Sequence, residues 1–133
     1  MAEAEREFSV LLVVDDDALV RTFLRDQLEA LGHTVLTACD AEEAGTLLRL
    51  VAEPVVVLLD LLLPGRTGVE MLAELHPLSA RYLRVVLVSA SARVQQAAAH
   101  HPLVVGRLEK PIDMTQLMQH VHAAQTQLGM AAA

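Results

Sequence analysis

Five side chains in this sequence have types that suit metal and phosphate chemistry, and each follows a run of aliphatic residues. They are Asp15, Asp16, Asp60, Ser89 and Lys110. Asp60 is the least expected of them, because residues 54–65 are otherwise almost entirely aliphatic. A carboxylate buried without a partner is costly and would normally bind a proton. Asp60 must therefore lie at the mouth of the apolar run or have partners from elsewhere in the chain.

The composition predicts one domain with an aliphatic core. The chain has 133 residues, of which 53% are hydrophobic and only 2% are aromatic. This length suits a single core. The formal net charge of -7 argues against a domain that binds a phosphate backbone, because such domains carry a basic face. We therefore expect no nucleic-acid contact by this domain.

The sequence also indicates a cytoplasmic protein that makes no membrane contact. Its start is acidic and lacks the basic and apolar regions of a signal peptide. Its apolar runs are far shorter than the ~18 residues that a membrane helix needs. The single cysteine, Cys39, cannot form an internal disulfide, which is typical of a reducing compartment. We expect Cys39 to pack as a small hydrophobic residue near the end of the second strand.

The hydrophobic pattern alternates between short apolar runs and segments with helical periodicity. We predict strands over 9–14, 34–38, 55–59, 84–89 and 103–108. We predict helices over 18–31, 40–51, 68–75, 91–100 and 113–128, the fourth with a thin apolar stripe. Strands that are apolar throughout and alternate with amphipathic helices indicate a parallel sheet covered on both faces. The predicted fold is one doubly wound α/β domain over 9–128, with a lead-in over 1–8 and a tail over 129–133.

Local signals mark the ends of several helices. Asp17, Asp40 and Asp113 are placed to cap the N-termini of the first, second and fifth helices, and Gly32 is placed to end the first. Glu43 lies three residues after Asp40, the spacing of a capping box. The periodicity of the first helix predicts one buried face, whose members are Val20, Phe23, Leu24, Gln27, Leu28 and Leu31.

The chemically suited residues all lie at or just after the ends of predicted strands, so the fold should bring them together. In doubly wound sheets, functional groups gather beyond the carboxyl ends of the strands. Three carboxylates at that edge would repel one another by roughly 4 kcal/mol per pair at an effective dielectric constant near 20. A hard dication relieves this repulsion, and an all-oxygen ligand set favours Mg²⁺. One carboxylate could then attack phosphorus while Mg²⁺, the lysine and the serine hydroxyl interact with the phosphoryl oxygens.

Four short motifs identify a family. They are residues 13–16, 58–65, 88–90 and 109–111. Each motif alone is weak, but the four occur in order, each at a strand end. With them, the sequence from 10 to 128 resembles the receiver (response regulator) domain of two-component signalling. The resemblance implies a flavodoxin-like (βα)5 fold with strand order 2-1-3-4-5.

The resemblance also implies roles for individual residues. Asp60 would accept the phosphoryl group. Mg²⁺ would be bound by Asp60, by Asp16 directly, by Asp15 through water, and by the backbone carbonyl of Leu62. Lys110 would pair with Asp60 and then with the phosphoryl group, and the peptide bond from Lys110 to the following proline would be cis. Ser89 would donate a hydrogen bond to a phosphoryl oxygen.

The expected partners follow from the same resemblance. A histidine kinase or phosphotransfer protein would donate the phosphoryl group. The fourth helix, fifth strand and fifth helix would form an output face for a homodimer or an effector. Arg107 stands where most receivers have an aromatic switch residue, and it is placed to reach a partner's carboxylate. Ser91 and Leu62 stand at positions that guard the path of the hydrolytic water.

Two other functions remain open from the sequence. A Mg²⁺-dependent phosphohydrolase acting through phospho-Asp usually has a second Asp two residues after the nucleophile, where this chain has Leu62. The other alternative is a receiver-like interaction module that works without phosphorylation. Arg107 and the thin apolar stripe of the fourth helix favour it, whereas the complete set of five site residues argues against it. The six histidines show no spacing typical of a zinc site, and we expect them at the surface.

Overall fold

A computed structural model describes residues 9–63, 65, 67–74, 81–98 and 100–129. Within these residues the five strands form one parallel sheet of order β2-β1-β3-β4-β5, which confirms the predicted order. The strands are β1 (Val10–Val14), β2 (Thr34–Ala38), β3 (Val55–Asp60), β4 (Leu83–Ser89) and β5 (Val104–Glu109). The helices are α1 (Ala18–Ala30), α2 (Ala41–Leu50), α3 (Gly68–Glu74), α4 (Ala92–Ala98) and α5 (Met114–Gln127). The predicted lead-in, most of the tail and the predicted end of α3 lie outside the described residues.

The helices cover both faces of the sheet, as the apolar strands require. Val10, Leu12 and Val14 of β1 face a cluster that includes residues of α2, α3 and α4. Leu11 and Val13 face a second cluster that includes residues of α1 and α5. Successive side chains of a strand point to opposite faces, so a strand covered on both sides must be apolar throughout. This packing confirms the doubly wound α/β fold.

The predicted caps are present. Asp17, Asp40 and Asp113 accept hydrogen bonds from backbone N–H groups in the first turns of their helices. Gly32 has a φ of 94° just after α1, a conformation that glycine adopts without steric cost. The capping box differs in one detail, because Glu43 accepts from the backbone N–H of Cys39, at 2.7 Å, rather than from that of Asp40.

Two predictions about buried residues are wrong. Phe23 and Leu31 of the first helical segment are 49% and 59% exposed, and Gln27 is exposed as well. The buried positions of α1 are Leu24 and Leu28, with Val20 packed partly against them. Phe23 and Gln27 lie toward the side of this narrower stripe, and Leu31 comes after the last residue of α1, so all three meet solvent. Cys39 is also exposed, because it follows the last residue of β2 and extends beyond the covered part of the sheet.

A register shift between β4 and β5 places the end of β5. Val85 lies opposite Val104, whereas Val86 lies opposite Gly106, so β5 has one extra residue at this point. The pairing then continues until Ser89 lies opposite Glu109. As a result, Lys110, the first residue after β5, lies beside the end of β4.

Candidate functional site

Asp60 is buried inside the end of β3 and is held by hydrogen bonds. The strand includes Asp60, which is only 5% exposed, so the predicted strand end at Leu59 is one residue short. Its Oδ1 accepts from the backbone N–H of Leu62 at 2.9 Å. Its Oδ2 accepts from Nζ of Lys110 at 3.0 Å. Of the two possible explanations for this carboxylate, the structure supports partners from elsewhere in the chain.

Lys110 joins the ends of three strands. Its Nζ donates to Oδ2 of Asp15 at 2.7 Å as well as to Oδ2 of Asp60 at 3.0 Å. Asp15 directly follows β1 and is 3% exposed. The sequence predicted the pair with Asp60 but not the shorter contact with Asp15. One ammonium group therefore serves two buried carboxylates.

The pKa values of Asp60 and Lys110 are both above their ordinary values. Burial raises the pKa of Asp60 above its ordinary value, and the charge of Asp15 acts in the same direction, while hydrogen bonds from Leu62 and Lys110 oppose them. Burial lowers the pKa of Lys110, but hydrogen bonds and attraction from Asp15 and Asp60 outweigh it and raise the pKa. An additional cation would favour the ionised form of Asp60.

The carboxylates are close enough to hold a metal ion. Asp15, Asp16 and Asp60 each offer an oxygen atom, and these oxygen atoms lie within 4.8 Å of one another. Asp16 is exposed, whereas the other two carboxylates are buried. Hard dications such as Mg²⁺ prefer oxygen ligands and retain water, and a partly open carboxylate cluster offers both. The residues present therefore fit Mg²⁺.

Arg21 contributes to this site in a way that the sequence pattern did not indicate. Its Nη1 donates to the backbone carbonyl of Asp15 at 2.8 Å. The side chain of Asp15 also accepts from the backbone N–H of Asp17 at 2.8 Å. The turn between β1 and α1 is thus held at both its backbone and its carboxylate. An arginine seven residues after a strand end belongs to no recognised motif.

Ser89 is completely buried at the end of β4, and Lys110 begins the neighbouring loop. The backbone N–H of Lys110 donates to the carbonyl of Ser89 at 3.0 Å. The Oγ of Ser89 accepts from the backbone N–H of Ser91 at 3.3 Å. The peptide bond between Lys110 and Pro111 is cis, as predicted. These bonds connect the ends of β4 and β5 beside the carboxylates.

The side chains of two predicted residues lie outside the buried cluster. The side chain of Arg107 is exposed on the edge strand β5, and Arg107 pairs with Leu87 in the sheet. The side chain of Leu62 is 51% exposed, and only its backbone N–H contacts Asp60. The structure therefore brings together Asp15, Asp16, Asp60 and Lys110, with Ser89 at the adjacent strand end.

An apolar groove borders the cluster. Its volume is about 350 Å³, and Lys110 and Pro111 line it together with side chains of α1. Leu19 is 81% exposed and Phe23 is 49% exposed there. Large exposed apolar side chains at the rim of a charged site are suited to contact with another protein.

Comparison with known proteins identifies the family. A family model described as the response regulator receiver domain matches residues 11–122, a range that contains all five residues of the site. The chain belongs to this family. The alginate biosynthesis transcriptional regulatory protein AlgB of Pseudomonas aeruginosa is 38% identical over 116 residues, 86% of this chain and 25% of that protein. The KDP operon transcriptional regulatory protein KdpE of Escherichia coli is 31% identical over 117 residues, 86% of this chain and 50% of that protein.

The receiver chain thus spans between a quarter and half of the length of these two relatives. Solved structures agree on the fold. The response regulator TrrA of Thermotoga maritima, determined in complex with Mg²⁺ and BeF, has a TM-score of 0.77 and 23% identity, covering 88% of this chain and 99% of that chain. The signal receiver domain of an HD domain-containing protein of Pseudomonas fluorescens has a TM-score of 0.80 and 22% identity, covering 92% of this chain and 90% of that chain.

Among the described helices, none has the length and apolar character needed to cross a bilayer.

Proposed function

We propose that this receiver domain accepts a phosphoryl group on Asp60 from the phosphohistidine of a histidine kinase or phosphotransfer protein. The observation that supports this most is the buried carboxylate of Asp60, which shares the ammonium group of Lys110 with Asp15. Hydrogen bonds fix the orientation of this carboxylate, and the ammonium group of Lys110 partly neutralises its charge. It lies at the carboxyl edge of the sheet, where a phosphoryl donor would approach. The product would be an acyl phosphate on Asp60.

In the proposed transfer, an oxygen of Asp60 forms a bond with phosphorus while the phosphorus–nitrogen bond of the donor breaks. The donor imidazole leaves with the electron pair of that bond. Lys110, which already lies 3.0 Å from Oδ2 of Asp60, neutralises charge on the phosphoryl oxygens. Ser89 accepts a hydrogen bond from Ser91, so its own O–H remains to donate to a phosphoryl oxygen.

We propose that Mg²⁺ is the cofactor. Asp16 and Asp60 would bind it directly, Asp15 would bind it through water, and the backbone carbonyl of Leu62 would complete the protein ligands. When bound, Mg²⁺ supplies positive charge that offsets both the carboxylates and the phosphoryl oxygens. The closeness of the three carboxylates, which have one ammonium group between two of them, supports this assignment.

We propose a signalling module rather than a turnover enzyme. The residue two positions after Asp60 is Leu62, which cannot act as the acid or base of a phosphohydrolase. Leu62 and Ser91 lie two residues beyond Asp60 and Ser89, where they would guard the path of the hydrolytic water to the phosphoryl group. Steady release of inorganic phosphate from a small phosphomonoester would favour the hydrolase instead.

The proposed output is contact with another protein in the cytoplasm. Arg107 is exposed on β5, between α4 and α5 in the chain, and offers a guanidinium group to a carboxylate of an effector or of a second copy. The domain's negative net charge favours a protein partner over direct contact with nucleic acid or membrane. Phosphorylation of Asp60 would then change this surface.

Acetyl phosphate tests the proposal directly. With Mg²⁺, it should shift the wild-type protein on a phosphate-affinity gel and leave Asp60→Asn unshifted. Asp26→Asn is a matched control, because Asp26 is an exposed carboxylate of α1 and should not affect labelling. Equal labelling of wild type and Asp60→Asn would contradict the assignment of the acceptor. NMR spectra that do not change when Mg²⁺ and beryllofluoride are added would favour the alternative function, a receiver-like interaction module that works without phosphorylation.

A further inference from the structure

Gln95 is a buried polar residue in α4. It is only 3% exposed, although glutamine is usually found at the surface. Its Nε2 donates to the backbone carbonyl of Leu108 in β5 at 2.5 Å. A buried amide needs such a partner, because an unsatisfied polar group destabilises the fold. Gln95 therefore fixes the middle of α4 to β5.

The same residue is joined to the end of β4. The backbone N–H of Gln95 donates to the carbonyl of Ser91 at 3.2 Å, and the backbone N–H of Ser91 donates to Oγ of Ser89 at 3.3 Å. On the other side, Leu108 lies two residues before Lys110, whose backbone N–H donates to the carbonyl of Ser89 at 3.0 Å. These bonds form a closed circuit from the Ser89 hydroxyl through α4 to β5 and back.

We propose that Gln95 is a positioning residue that couples the Ser89 hydroxyl to the backbone of β5 beside Arg107. This inference rests on the proposed function, because the Ser89 hydroxyl would form a new hydrogen bond when the phosphoryl group arrives. That bond would shift Ser89 relative to Ser91. The shift would reach Leu108 through the backbone and side chain of Gln95. The conformation at Arg107, the residue next to Leu108, would then depend on whether Asp60 is phosphorylated, although position 107 has no aromatic side chain.

The test is the change in the backbone amide resonances of Arg107 and Leu108 when Mg²⁺ and beryllofluoride are added. Gln95→Met keeps the length of the side chain and removes the donor. It should retain beryllofluoride-induced shifts at Asp60 but show less than half of the wild-type shift at Arg107. Gln96→Met is the matched control, since Gln96 is the exposed neighbour in the same helix, and it should behave as wild type.

A purely structural role for Gln95 would lower stability and leave the ratio of the Arg107 shift to the Asp60 shift unchanged. A wild-type ratio in Gln95→Met would therefore overturn the coupling while leaving the proposed function intact. Absence of shifts at Asp60 in the wild-type protein would instead overturn the proposed function. If Gln95→Met fails to fold, Gln95→Asn replaces it, because its amide is one methylene too short to reach Leu108 as Gln95 does. A wild-type ratio in that variant would equally refute the coupling.

Discussion

Replacing Lys110 by methionine should strongly destabilise the domain in the absence of divalent metal. The substitution keeps the apolar length of the side chain and removes the ammonium group, which lies 2.7 Å from Asp15 and 3.0 Å from Asp60. Both carboxylates are buried, and they would then face each other without a cation. Repulsion between the two carboxylates and the cost of burying them both raise the free energy of the folded state. The unfolded chain exposes these groups to water and does not bear this cost.

The expected loss is about 3 kcal/mol, near the lower end of the cost of removing one partner of a buried ion pair. The lower end applies because the side chain of Lys110 is 25% exposed, so water retains some contact with the charges. A loss of this size is a large part of the roughly 5–15 kcal/mol that stabilises a typical domain. Saturating Mg²⁺ should restore part of the stability, since the cation binds the folded carboxylate cluster and not the unfolded chain.

Urea unfolding near neutral pH, with EDTA and then with Mg²⁺, measures both effects. Arg107→Met is the matched control, because Arg107 is an exposed cation on the adjoining strand, and its change should stay within about 0.5 kcal/mol. The difference between wild type and Lys110→Met should shrink as the pH falls, because protonated carboxylates no longer need the ammonium group. A Lys110→Met protein as stable as wild type in EDTA would refute the account of the cluster.

Three further predictions concern the start of α3, the groove beside the site, and His33, which precedes β2. Gly68→Ala should destabilise the domain by about 1–3 kcal/mol in urea unfolding, because a Cβ there would lie 2.6 Å from the backbone oxygen of Asp60. Gly45→Ala, whose Cβ would meet only ordinary contacts, should instead be neutral or stabilising, and equal losses in the two variants would contradict this reading. Leu19→Ser should slow transfer from a phosphohistidine protein several-fold while leaving labelling by acetyl phosphate unchanged; equal slowing with both donors would exclude a docking role. Burial, and to a smaller extent the charge of His122, lower the pKa of His33 below its ordinary value of 6.5. The unfolded chain therefore binds a proton at this residue before the folded protein does, and stability should fall as the pH drops below 6.5. A His33→Gln variant with the same pH dependence of stability as wild type would contradict this prediction.

The position of the site was predictable because the topology depends on a simple pattern. Five apolar strands that alternate with helices must run parallel, and their carboxyl ends then share one edge of the sheet. This places Asp15, Asp60 and Lys110 near one another whatever the details of packing. The caps at Asp17 and Asp113 were predictable for a similar reason, since each depends on a few neighbouring residues.

Contacts between distant side chains were not predictable in the same way. Lys110 contacts both Asp15 and Asp60, and the sequence predicted only the contact with Asp60, because such contacts depend on the positions of single atoms. The burial of Gln95 was not predicted, because its partner is a backbone carbonyl 13 residues away in another element. Phe23 was misplaced because helical periodicity sets the direction of a side chain but not the width of the covered stripe.

The central claim is that Asp60 carries the phosphoryl group, and localising the modification tests it most directly. Wild-type protein treated with acetyl phosphate and Mg²⁺ should be reduced with borohydride, which converts an acyl phosphate of aspartate to homoserine, and then analysed by peptide mass spectrometry. We predict homoserine at position 60 only, and none when acetyl phosphate or Mg²⁺ is omitted. Homoserine at position 15 or 16 with none at 60 would contradict the account.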